Sequence, residues 1–160
     1  IMWKTGHSLI KAKMKQVDAE LDGEMSGHIF FKDRYFGFDD GIYSSCRLIE
    51  ILASTEKTIP ELLEGIPNTY TTPEIRVTCA DEIKFDVVEK ATSEFKLKGY
   101  EVIDIDGARI VFQDGWGLLR ASNTQPVLVL RYEADTPERL EEIRELIEGT
   151  LEKIKSADYS

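Results

Sequence analysis

Five consecutive residues, Arg120-Ala121-Ser122-Asn123-Thr124, put a guanidinium, two hydroxyls and a carboxamide on one short stretch of chain. Apolar runs flank it, Gly117 to Leu119 before and Val127 to Tyr132 after, so it reads as a tight connection between two strands. Such a loop can aim guanidinium N–H, hydroxyl, side-chain amide and backbone N–H donors at one anion, and phosphate is the anion best matched to that set. Ser, Asn, Thr and Pro126 are also ordinary turn formers, so residue types alone leave a bare turn and an anion cup both open. Arg131, on the following strand, either adds positive charge from a distance or pairs with a carboxylate.

Two further groups carry chemistry. In Gly23-Glu24-Met25-Ser26-Gly27-His28 the glycines permit a tight path close to a ligand, Glu24 accepts hydrogen bonds, and Ser26 and His28 can donate or accept. That set suits vicinal hydroxyls; a solvated strand-entry turn is the plainer alternative. The third group is Lys4-Thr5-Gly6-His7-Ser8. Imidazoles titrate near neutrality, so His7 is suited to steadying a phosphate or relaying protons, while a purely structural histidine remains open. Asp104-Ile105-Asp106-Gly107-Ala108-Arg109 has only two carboxylates around an Asp-Gly hairpin turn, and no metal is expected there.

These loops need a scaffold. The chain has 160 residues and a formal charge of −10, enough for one domain or one and a half, and a field that disfavours nucleic acid and acidic membranes as partners. No apolar run reaches membrane-spanning length and no signal peptide is visible. Ile1 is not a natural start, so a missing N-terminus is expected. Cys46 and Cys79 fit no metal or redox spacing and read as buried, reduced thiols of a cytoplasmic protein.

The pattern divides into two units. In residues 1–65, Leu9 to Met14 is helix-like and Ile29 to Phe31 strand-like. Gly41 to Leu52 reads as a helix with Ile42, Cys46, Ile49 and Leu52 facing a core. Residues 66–73, with Pro67 and Pro73, break the periodicity and form the expected linker. From Glu74 on, Ile75 to Cys79 is a strand. Asp81 is placed to cap a helix whose apolar face is Phe85, Val88, Ala91 and Phe95. Glu101 to Ile105 and Ala108 to Gln113 flank the Asp106-Gly107 turn. Asp135 or Thr136 caps a last helix, with Pro137 first and Leu140, Ile143, Ile147, Leu151 and Ile154 as its buried stripe. The order is read as β-α-β-β-β-α, an α+β domain with helices on one side of an antiparallel sheet.

The string Asp114 to Ala134, centred on Arg120 to Thr124, resembles the C-terminal phosphate-binding loop of the phosphomannomutase/phosphoglucomutase enzymes of the α-D-phosphohexomutase superfamily. Related phosphoglucosamine mutases carry a Ser-Gly-Thr version of this turn. Glu24 to His28 resembles the sugar-binding loop of the same enzymes, Phe30 to Tyr43 continues in that style, and the Gly6-His7-Ser8 segment is similar to one that sets its histidine beside the reacting phosphosugar. The resemblance spans essentially the whole chain. It implies the end of an α/β third domain (1–65), a hinge (66–73) and a complete fourth domain (74–160) with a fold like TATA-binding protein.

The resemblance further implies an isomerase of carbohydrate metabolism, an intramolecular phosphotransferase. It would interconvert hexose 6-phosphate and hexose 1-phosphate, of mannose or glucose, through a 1,6-bisphosphate. Arg120, Ala121, Ser122, Asn123 and Thr124 would clamp the phosphate that is not reacting. Glu24, Met25, Ser26, Gly27 and His28 would hold the sugar, with His7 at the phosphosugar. The phosphorylated serine and the Mg2+ loop, Asp-Gly-Asp-x-Asp-Arg, belong to domains with no counterpart here. The catalytic nucleophile and the Mg2+ ligands are therefore expected outside this chain, and the chain alone is expected to be inactive and to bind no cofactor. Its partners would be hexose phosphates and the missing N-terminal domains. The alternative is an autonomous phosphosugar-binding module without catalysis, and behind it a domain whose loops are merely turns.

Overall fold

The computed structural model describes residues 1–158. Its contacts divide the chain into two units, Ile1–Ile66 and Pro67–Ser160.

In the first unit, helix α1 (His7–Val17) is followed by three short strands, β1 (Leu21–Gly23), β2 (Ile29–Phe31) and β3 (Phe38–Asp39), then α2 (Gly41–Ala53) and α3 (Ile59–Leu62). The strands form one antiparallel sheet in that order, with Leu21 opposite Phe31 and Phe30 opposite Asp39. The core is small: Ile10 and Met14 of α1 close over Phe30, with Ala19 beside them. Gly6 precedes α1 at φ 129°, a conformation rarely open to a residue with a side chain, so the chain can turn sharply into His7. Asp40 starts α2 by accepting the N–H groups of Ile42 and Tyr43, both at 2.9 Å.

The apolar stripe of α2 does not behave as its periodicity predicts. Ile42 is 81% exposed, Ile49 is 64% exposed and Cys46 is exposed, and the helix buries no residue. The three strands beside it are two or three residues long and already covered by α1, so the unit holds no apolar surface wide enough to receive the stripe.

The second unit contains β4 (Tyr70–Thr71), β5 (Ile75–Thr78), α4 (Lys84–Leu97), β6 (Glu101–Ile103), β7 (Ala108–Phe112), β8 (Gly115–Ala121), β9 (Val127–Ala134) and α5 (Pro137–Asp158). The sheet is antiparallel throughout. It runs β4-β9-β8-β7-β6, with β5 also on β9, so four strands rather than three lie between the helices. Tyr70 and Thr71, inside the expected linker, pair with Ala134 and Glu133.

Alternation decides the two faces. Ala108, Ile110, Leu119, Leu128, Leu130 and Tyr132 point to the helices and are fully buried with Val87, Phe95, Ile143 and Ile147. Each such aliphatic or aromatic side chain contributes about 1.5–3 kcal/mol of transfer free energy. Helix α5 lies directly on β8: a Cβ on Gly117 would stand 2.2 Å from Ile147 Cδ1. Thr136 caps α5 through its hydroxyl, which accepts the Arg139 N–H at 3.1 Å. Of the expected α4 face, Val88, Ala91 and Phe95 are buried, but Phe85 is 56% exposed, and Lys84 and Val87 are buried besides. Asp81 does not cap this helix; it pairs with Lys84 Nζ at 2.5 Å.

Candidate functional site

The first constellation is assembled within the N-terminal unit. The β1–β2 connection is closed by two backbone bonds, Glu24 N–H to His28 O at 2.8 Å and Gly27 N–H to Glu24 O at 2.9 Å, with Gly27 at φ 92°. Glu24 reaches across to α1. One carboxylate oxygen accepts the Gly6 N–H at 3.0 Å and the other accepts the Ser26 hydroxyl at 3.1 Å. Each oxygen keeps a lone pair, so Glu24 braces the turn before His7 and remains an acceptor. Met25 is exposed at the loop tip.

His7 and His28, 21 positions apart in sequence, meet edge-on with ring centroids 4.6 Å apart. Between them stands Asp39. Its Oδ2 lies 2.6 Å from His28 Nδ1 and 3.5 Å from His7 Nε2, and its Oδ1 accepts the Ile29 N–H at 3.3 Å. A carboxylate only accepts, so the His28 proton sits on Nδ1 and Nε2 is left as an acceptor. Both imidazoles are about half exposed, so this is an open polar site and not a pair of core histidines.

The second constellation belongs to the C-terminal unit. Arg120 is part of β8, not of the turn, opposite Val129 of β9. Pairing sets Arg76, Val129 and Arg120 in one row across the sheet and Arg131, Leu118 and Arg109 in the next. All face away from the helices. Arg109 stacks over Trp116 at 4.3 Å, and burial pulls its guanidinium below the ordinary value, with Glu133 opposing. Among the described residues neither Arg120 nor Arg131 forms an ion pair, and Arg131 Nε is buried without an acceptor. Of the two readings of Arg131, pairing with a carboxylate is therefore not seen among the described residues.

The loop after Arg120 uses much of its own hydrogen-bonding capacity. Ser122 is buried; its Oγ accepts the N–H groups of Thr124 (3.3 Å) and Gln125 (3.2 Å), and its own N–H goes to Val127 O. Ala121 points into the core, so its side chain is no part of a cup. The donors that remain are the Arg120 guanidinium, the Asn123 side chain and N–H, and the hydroxyls of Thr124 and Ser122. Gln125 anchors the loop from behind: its carbonyl accepts from Lys84 Nζ at 3.1 Å, and its side chain from Arg76 at 2.7 Å.

Two models of one family match in sequence order. "Phosphoglucomutase/phosphomannomutase, alpha/beta/alpha domain III" covers residues 1–70, and "Phosphoglucomutase/phosphomannomutase, C-terminal domain" covers 74–149. The chain belongs to the phosphoglucomutase/phosphomannomutase family. It is 48% identical over 157 residues to a phosphomannomutase/phosphoglucomutase of Pseudomonas aeruginosa, covering 98% of this chain and 34% of that protein. It is 46% identical over 154 residues to a phosphoglucomutase of Neisseria gonorrhoeae, covering 95% and 33%. A crystal structure of a phosphoglucomutase/phosphomannomutase family protein from Burkholderia thailandensis superposes with a TM-score of 0.85 at 46% identity, covering 98% of this chain and 33% of that one. The chain thus spans about a third of the relatives it matches and corresponds to their C-terminal part.

The two-carboxylate segment from Asp104 to Arg109 is a hairpin. Asp104 is taken by Lys96 Nζ at 2.5 Å, a hydrogen bond that holds its carboxyl below the usual range, and Asp106 and Gly107 turn a hairpin. Those residues do not fit Mg2+. Sequence reasoning also passed over Asp39, Lys84 and Gln125. Asp39 was readable only as one more acid before a helix, because its two histidine partners lie 11 and 32 positions away.

Proposed function

We propose that this chain supplies the substrate-binding part of a phosphohexomutase, the isomerase that moves phosphate between O6 and O1 of a hexose through a 1,6-bisphosphate. The observation that carries the reading is the Arg120 guanidinium, which lacks an acidic partner on the sheet face away from the helices and lies at the end of the strand that leads into Asn123 and Thr124. In a chain of charge −10, two neighbouring arginines without an ion pair, Arg120 and Arg131, mark a place for an anion.

The bound phosphate is the one that does not react. Arg120 meets two of its oxygens in a fork, the Asn123 and Thr124 donors take others, and Arg131 makes the potential around it more positive. The Lys84–Gln125–Arg76 anchorage keeps the loop from relaxing when the ligand leaves, which lowers the ordering cost of binding. Glu24 and Ser26 hold sugar hydroxyls, and His28, its tautomer set by Asp39, accepts a further hydroxyl at Nε2. A group held by hydroxyls common to glucose and mannose binds either sugar. Phosphoryl transfer needs positioning and charge compensation above all, and these residues supply the positioning. The phosphate donor and the Mg2+ that would compensate charge at the reacting end lie outside this chain, so no turnover is assigned to it alone.

The test is calorimetric titration of this chain with glucose 1-phosphate and mannose 1-phosphate. Binding is expected, and Arg120→Ala weakens it about 10- to 150-fold, the loss of a charge-assisted hydrogen bond worth about 1.5–3 kcal/mol. No heat at millimolar ligand, or equal affinity in Arg120→Ala, overturns the reading. Turnover by the purified chain in a coupled assay would overturn the division of labour.

A further inference from the structure

We infer that His7, His28 and Asp39 form a binding site for a borderline d-block cation, of which Zn2+ is the type. The inference goes beyond the phosphosugar reading and does not depend on it. Two imidazoles and one carboxylate each present one donor atom, and the three atoms lie within 4.8 Å of one another. Nitrogen donors select Zn2+ over hard cations such as Mg2+, which take oxygen. Zn–N and Zn–O distances of about 2.0–2.2 Å place tetrahedral donor atoms about 3.3 Å apart. Here Asp39 Oδ2 is already 3.5 Å from His7 Nε2 and 2.6 Å from His28 Nδ1. The second pair is drawn close by the proton between them. A metal replaces that proton at Nδ1, the imidazole carries its hydrogen on Nε2 instead, and small side-chain rotations bring the three atoms to bonding distance.

The surroundings favour this use. The three donors come from three elements: the first residue of α1, the approach to β2 and the end of β3. Each is braced from outside. Glu24 holds the Gly6 N–H next to His7, the Glu24–His28 backbone bond closes the loop bearing His28, and the Ile29 N–H holds the second oxygen of Asp39. Outer bonds of this kind keep first ligands in place. The imidazoles are half exposed, which gives the ion an entry path and leaves its fourth position to water or to a ligand oxygen. Occupancy also removes the acceptor at His28 Nε2, so the cation and a hydroxyl held there exclude each other.

The experiment is a calorimetric titration of metal-free chain with ZnCl2. It is repeated in Cys46→Ser because Cys46 is an exposed competing ligand. One Zn2+ per chain is expected in both proteins. Asp39→Asn and His28→Gln should each weaken binding by more than the roughly 10- to 100-fold that loss of an outer partner costs, and excess Mg2+ should not compete. Circular dichroism checks that the variants fold. A variant-free readout is Co2+ added to the unsubstituted chain, which should shift the imidazole proton resonances of both His7 and His28. No binding at millimolar Zn2+, affinity that survives Asp39→Asn and His28→Gln, affinity lost in Cys46→Ser, or unshifted imidazoles overturns the proposal. Glucose 1-phosphate binding in metal-free buffer is read separately, so either idea can fail without the other.

Discussion

Gly107 tests whether the sheet positions Arg120. It sits at φ 86° in the β6–β7 hairpin, opposite Arg120, and a Cβ there would lie 2.4 Å from Leu119 O, 2.6 Å from Arg120 Cβ and 2.8 Å from Arg120 Cα. Two costs follow for Gly107→Ala. A left-handed conformation is worse for alanine by about 1–2 kcal/mol, and forcing an atom into filled space adds about 1–3 kcal/mol, so about 2–5 kcal/mol is expected. Gly99 separates the two: its φ is nearly the same, 85°, but nothing lies within 4 Å of its added Cβ. Gly99→Ala should therefore cost only about 1–2 kcal/mol. Urea unfolding followed by Trp116 fluorescence, in a Trp3→Phe background, measures both. The same displacement moves β7 away from β8, so glucose 1-phosphate affinity should fall in Gly107→Ala and hold in Gly99→Ala. Equal stability losses, or full ligand affinity in Gly107→Ala, would refute the reasoning.

Lys84→Met removes a buried ammonium and its charge-assisted bonds to Asp81 and the Gln125 carbonyl, which keeps only the Val127 N–H at 2.8 Å; a stability loss of about 1.5–3 kcal/mol and several-fold weaker glucose 1-phosphate binding are expected by denaturation and calorimetry, although Lys84 stands behind the loop. Cys79 and Cys46 should separate under thiol alkylation read by mass spectrometry: burial raises the Cys79 thiol, so it holds less thiolate at any given pH and reacts only on unfolding, while exposed Cys46 reacts in the native chain. Asp40 has its carboxyl held below the usual range, first by the Tyr35 hydroxyl and then by the N–H groups of Tyr43 and Ile42. Its folded value lies below its unfolded one, so its support of α2 is complete at neutral pH and disappears as acid protonates it; amide exchange in Gly41–Ala53 should be faster in Asp40→Ala at pH 7, with the gap closing below about pH 4.

The C-terminal unit was largely legible because its signals are local. The α5 stripe repeats over about four turns, Thr136 and Pro137 mark its start, and Asp106-Gly107 sets a hairpin; each was readable from neighbours in sequence. The α2 stripe has the same helical spacing and the opposite outcome. Periodicity reports which side of a helix is apolar, not whether anything covers it, and the short strands of that unit offer no cover. The one departure in the α4 stripe, Phe85 outside and Lys84 inside, has a related cause. Lys84 is charged, so a pattern reading sends it outward, yet Asp81 and the Gln125 carbonyl give its ammonium partners under the sheet's end while Phe85 is left outside.

The candidate site divides along the same line. Residues that act through their own type, Arg120, Asn123, Thr124, Glu24 and His28, stand out as polar groups in short loops. Residues that act through another residue do not. Asp39 matters because of the two histidines it joins, and Lys84 because of a carbonyl 41 positions away. Ser122 shows the converse: its type suggests an anion donor, while its oxygen is occupied in holding Thr124 and Gln125. A donor that spends its acceptor lone pairs on its own loop still fixes where Arg120 and Thr124 stand. Replacing Ser122 with alanine would therefore loosen the loop as well as remove a hydroxyl, and the two losses are distinct only because Lys84→Met produces the first without the second.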